Sequence, residues 1–124
     1  MDKYKVYIDT SVISAYFDYR KPMRQLMTQK WFSYDAKEFA LSVSTLVLEE
    51  IANNTDEMLM LNRLNLLDSL SVPVLEITEE ILWLAGSYRE EVLTKEVNDT
   101  IHIAAASYYS ADAIVSWNFR HIVT

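Results

Sequence analysis

The chain has no cysteine, a single glycine (Gly86) and two prolines, Pro22 and Pro73. Without thiols there is no disulfide, no thiolate zinc site and no cysteine nucleophile, and a reducing compartment such as the cytoplasm is the expected setting. With one glycine, neither a Walker loop nor a dinucleotide-binding fingerprint can be written, which removes P-loop NTPases and Rossmann-type cofactor enzymes. No apolar stretch approaches the roughly 20 residues of a membrane span, and Met1-Asp2-Lys3 leads straight into a strand pattern, so neither a membrane association nor a signal peptide is expected. Bases are scarce as well. Eleven against 18 acids leave a net charge of −7, which disfavours broad nucleic-acid coating by phosphate neutralisation. The same acidity suits carboxylates that carry a bound cation, or a basic protein partner.

What is present is an alternation of strand and helix patterns over 124 residues, enough for one domain spanning 1–124. Tyr4 to Ile8 reads as a strand ending at Asp9, with Ser11 as N-cap of a short helix from Val12 to Asp18. Pro22 suits the first turn of a helix running to about Tyr34. Phe39 to Val43 has strand length, and Ser44 or Thr45 opens a helix carrying Leu46, Val47, Glu50 and Ile51. Thr55 to Leu70 reads as a helix with Met58, Leu59, Leu61, Leu64, Leu67 and Leu70 largely on one face, followed by an edge-type strand, Val72 to Ile77. Thr78 starts a helix to about Glu91. Asn98 or Asp99 caps an alanine-rich helix, and Ala113 to Ser116 is a final buried strand. Such alternation predicts an α/β fold, a parallel sheet with helices on both faces.

In an open parallel sheet the functional crevice lies beyond the carboxyl ends of the strands. Asp9 ends the first strand, Glu50 sits about two turns into the helix after the second, and Asp99 stands at a helix start. Three carboxylates in one crevice repel one another unless a cation holds them. Hard oxygens without thiolates or paired histidines select Mg²⁺ or Mn²⁺, whose bound water suits phosphodiester hydrolysis without a covalent intermediate. Plainer accounts compete: Asp9 as a strand-end turn residue, Glu50 as a solvated helical glutamate beside the chemically identical Glu49, and Asp99 as a helix cap. His102, one turn after Asp99, reads as packed rather than functional. Arg120 and His121 read as solvent-facing, and Trp117 and Phe119 as core-closing aromatics.

Four segments together resemble PIN-domain nucleases, most closely the VapC-like toxins of bacterial toxin–antitoxin pairs. They are Ile8-Asp9-Thr10-Ser11, the run from Ser44 to Ile51, the run from Asn98 to Ala106, and the run from Ala111 to Phe119. The resemblance covers nearly the whole chain. It implies a three-layer α/β/α sandwich on a mostly parallel sheet of four to five strands, and a ribonuclease that cleaves RNA with Mg²⁺ or Mn²⁺ and is held silent by an antitoxin. Carried over by position, Asp9, Glu50 and Asp99 are the acidic metal site, and Thr10 and Ser11 orient Asp9 or a water. Asn118 joins the catalytic set where many relatives have a fourth acid. That departure lowers the site's charge and favours one tightly held ion. A second departure is the ending at His121-Ile122-Val123-Thr124, where similar sequences continue with a further strand or short helix: Thr124 is either a true end or a truncation, and if the missing segment normally covers the sheet edge, cover by a second copy, a homodimer, is expected. The leading alternative is a PIN-like module that binds RNA or protein without cutting. A haloacid-dehalogenase-type phosphatase needs a second aspartate where this chain has Ser11, and a receiver needs a phosphoacceptor Asp after its third strand and a later Lys; neither pattern is present.

Overall fold

A computed structural model of the chain describes residues 3–91 and 97–118. Within them, four strands form one sheet in the order β3-β2-β1-β4. They are β1 Lys5–Ile8, β2 Ala40–Ser44, β3 Val74–Leu75 and β4 Ala113–Val115. Every pairing is parallel: Val6 stands opposite Leu41 on one side and Ala113 on the other, and Val43 opposite Val74. The helices between them are α1 Thr10–Tyr16, α2 Pro22–Lys30, α3 Thr45–Ala52, α4 Glu57–Leu70, α5 Glu79–Glu91 and α6 Val97–Tyr108.

The pleat of β1 separates the two cores. Ile8 points to the layer of α1, α3 and α4, where it packs with Val12, Ile13, Val43, Val47, Ile51 and Leu67. Its neighbour Tyr7 points to the opposite layer, against Ile81 and Ala85 of α5 and Ala104, Ala105 and Ala106 of α6. Successive strand residues face opposite sides, so a near-continuous apolar run is what a strand covered on both faces requires. The three-layer α/β/α arrangement follows.

Several expected boundaries shift, each for a local reason. The first helix is capped by Asp9 rather than Ser11, because the Asp9 carboxylate accepts the Ser11 backbone N–H at 3.0 Å. Regular α2 stops at Lys30 and passes into a wide turn at Trp31–Asp35 and a tight one at Ala36–Glu38. Trp31 and Phe32 there pack on the core, Phe32 edge-on to Tyr16 and Trp31 stacked with Phe39. The third strand keeps only Val74–Leu75: Pro73 has no N–H to give, and the Ile77 N–H leaves the ladder for Thr45 Oγ1 at 3.3 Å. In α4 the apolar residues wrap round more of the helix than α1 and α3 cover, so Met58 and Leu61 are exposed while Leu67 is buried. Helix α6 already begins at Val97, which places Asn98 and Asp99 inside its first turn rather than at its cap. Strand β4, expected to be buried, is partly exposed, since it is the edge strand of the described sheet. Phe119, Arg120 and His121 fall outside the described residues.

Candidate active site

The carboxyl ends of β1, β2 and β4 meet in two linked hydrogen-bond clusters. The first is centred on Asp9, only 1% exposed. Its Oδ1 accepts the Ser11 N–H at 3.0 Å and the Ser11 hydroxyl at 2.5 Å, and its Oδ2 accepts the Ser116 hydroxyl at 2.6 Å. Each serine is in turn held by main chain of the segment after β4. The Trp117 N–H donates to Ser11 Oγ at 2.8 Å and the Asn118 N–H to Ser116 Oγ at 2.9 Å. Two parallel relays, N–H to hydroxyl to carboxylate, thus tie the 116–118 turn to the end of β1. Charge-assisted hydrogen bonds of this kind are what allow a carboxylate to be buried without an ion pair.

The second cluster is centred on Glu50, half-buried on α3. Oε1 accepts the Thr10 hydroxyl at 2.6 Å and stands 2.7 Å from His102 Nε2, while Oε2 accepts the Asn98 amide at 3.2 Å. Burial pushes the Glu50 carboxyl up, but the hydrogen bonds from His102 and Thr10, the charge interaction with His102 and the hydrogen bond from Asn98 outweigh it and hold the group below its ordinary value. Behind His102, Nδ1 lies 2.6 Å from the Tyr7 hydroxyl, which lies 2.8 Å from Ser44 Oγ. Burial raises the Tyr7 phenol well above its ordinary value, so it stays protonated. Consecutive residues join the clusters, Asp9 capping α1 and Thr10 opening it against Glu50.

The sequence-expected residues therefore distribute as follows. Asp9 with Ser11, and Glu50 with Thr10, come together; Glu49 is exposed and Glu50 is the glutamate with buried partners. Asp99 is buried in the first turn of α6, beside the Asn98 that reaches Glu50. Asn118 is exposed, and its backbone N–H joins the Asp9 cluster. Among the described residues no three acids or histidines stand within reach of one shared metal ion. The donors themselves suit a hard divalent cation. Asp9 Oδ2 and Glu50 Oε2 each accept one hydrogen bond among the described residues, leaving each oxygen a lone pair for monodentate ligation.

Sequence reading underrated four residues. Ser116 follows the last strand as Asp9 follows the first, a symmetry visible only once β1 and β4 are known to be neighbours. His102 lies three positions after Asp99, on the same helical side, yet it reads as packing until Glu50 is placed opposite it. Tyr7 looks like a plain strand residue in sequence, and Ser44 like one that merely opens the following helix.

The family model for the PIN domain matches residues 6–121. Comparison with curated protein sequences finds no significant match. Among solved structures, the fold is similar to VapC20 of Mycobacterium tuberculosis, described as a Sarcin-Ricin loop cleaving toxin. The TM-score is 0.74 at 14% identity, over 94% of this chain and 92% of that one. It is also similar to VapBC2 of Rickettsia felis, solved bound to a DNA fragment from its promoter, with a TM-score of 0.66 at 15% identity over 94% of this chain and 89% of that one. At these identities the likeness is one of fold, but the family match runs over almost the whole length: the chain belongs to the PIN domain family.

Proposed function

We propose that the protein is a metal-dependent endoribonuclease that hydrolyses RNA phosphodiester bonds, acting as the toxin of a toxin–antitoxin pair. The observation that carries this reading is the pair of anionic carboxylates, Asp9 and Glu50. Each is held by hydroxyl, imidazole or amide groups, and their two clusters adjoin where β1 ends and α1 begins. Membership of the PIN family supports nuclease chemistry, and the likeness to VapC20 and VapBC2 supports the toxin role and an antitoxin partner. In this reading binding of Mg²⁺ or Mn²⁺ draws Asp9, Glu50 and Asp99 together around the ion. When bound, the ion supplies an activated water and neutralises charge on the leaving oxygen. Ser11 and Ser116 fix both oxygens of Asp9, Thr10 fixes Glu50, and Asn118 presents an uncharged amide beside them. Assembly as a homodimer belongs to the same proposal.

The test is cleavage of total RNA in EDTA, Mg²⁺ and Mn²⁺, beside Asp9→Asn and Asp99→Asn proteins. Fragments that need the metal and vanish in both variants establish the reading. Silence of the wild type in every condition, with the fold intact, replaces it with a module that binds RNA or protein without cutting.

A further inference from the structure

Ser44, Tyr7, His102 and Glu50 form one continuous row of side chains from the end of β2, through β1 and α6, to α3. The row crosses the interior: Ser44 and Tyr7 are 0% exposed and His102 is 2% exposed. Distances alone leave the direction of each bond open, because hydroxyls and a neutral imidazole both donate and accept. Counting protons closes it. Among the described residues the Ser44 hydroxyl has one partner, the Tyr7 oxygen. If Tyr7 gave its proton to Ser44, the Ser44 proton would be sealed in the interior with no acceptor, at the cost of a buried unsatisfied donor. Ser44 therefore donates to Tyr7. The Tyr7 hydroxyl then has its own hydrogen for His102 Nδ1, which must be the bare nitrogen of the ring. The remaining ring proton sits on Nε2 and points at Glu50 Oε1.

We propose that the buried Ser44–Tyr7 pair locks the His102 ring with its proton on Nε2 and Nδ1 bare, and that His102 is a positioning residue which fixes the Glu50 carboxylate. With Thr10 also on Oε1, that oxygen is saturated, and Oε2 is the one presented toward the site. The tautomer lock stands on geometry alone. The consequence for catalysis rests on the nuclease reading above.

The lock is tested on ¹⁵N-histidine-labelled protein, free of metal. The chain has two histidines, so a His121→Gln variant leaves the His102 ring as the sole signal. The expected spectrum shows a proton on Nε2 and none on Nδ1, and Ser44→Ala and Tyr7→Phe shift it toward a tautomer mixture. A proton on Nδ1, with or without one on Nε2, overturns the proposal and needs no variant in the row. For positioning, His102→Leu is expected to lower kcat by roughly 10–100-fold with KM for RNA unchanged. His102→Gln, which keeps an N–H donor toward Glu50, restores most of the rate. Equal kcat in wild type and His102→Leu refutes the positioning role. RNA left intact by wild type refutes the nuclease reading instead, while the spectrum still decides the lock.

Discussion

At the scale of single residues, the site is governed by how two carboxyl groups are hydrogen-bonded away from water. The Asp9 pocket is built from hydroxyls that receive main-chain N–H groups and pass the polarity on, so each serine serves two partners at once. Ser116→Ala removes the donor to Asp9 Oδ2 and the acceptor of the Asn118 N–H together. A loss of about 1–3 kcal/mol is expected, read as a lower urea midpoint at unchanged slope. Glu50 gives a pH signature. Its folded pKa lies below the ordinary 4.5, so the unfolded chain binds a proton first as acid is added. The stability contributed by its charged form is complete above pH 4.5 and is lost as pH falls through the depressed folded value. In EDTA, the stability gap between wild type and Glu50→Gln is therefore expected to narrow as pH falls below 4.5. A gap that widens there contradicts the lowered Glu50 value.

At the scale of elements, what was legible in sequence was period and punctuation, and what was not was competition for backbone groups. The alternation of strands and helices, Pro22 at the start of α2 and the opening of α3 after Ser44 are all local signals, and the structure keeps them. Asp9 and Ser11 both have cap chemistry; the choice fell to Asp9 because Ser11 is drawn into the tie with Trp117. The third strand is shorter than its apolar run because Thr45, thirty-two positions upstream of Ile77, takes an N–H the ladder needs. Neither rival is visible from the segment itself. Helix α4 shows a cap with no such rival: the Asp56 carboxylate accepts the N–H groups of Met58 and Leu59 at 3.0 and 3.2 Å. Asp56→Ala is expected to cost about 1 kcal/mol, measured by chemical denaturation, while leaving RNA cleavage unchanged because the cap stands apart from both carboxylate clusters.

At the scale of the whole molecule, net charge and fold pull differently. A chain of net charge −7 that acts on RNA has to rely on a few local contacts rather than a broad basic face. Its KM for single-stranded RNA is accordingly expected to change by less than about tenfold between about 50 and 200 mM salt, against the 10³ to 10⁵ of proteins with many phosphate contacts. A steeper dependence, seen in initial rates across a salt series, would reveal a basic track that the charge count hides. The sheet order matters at this scale too. With β1 between β2 and β4, Asp9 stands at the centre of the strand ends. The 116–118 turn is secured to this centre through the peptide nitrogens of Trp117 and Asn118. Trp117 is also fixed by its side chain, whose indole donates to Thr28 and packs on the core, but the exposed Asn118 is tied here by its peptide nitrogen, which every residue except proline supplies. Position 118 works as a socket with exchangeable fittings, in which an acid or an amide can be installed without rebuilding the mount.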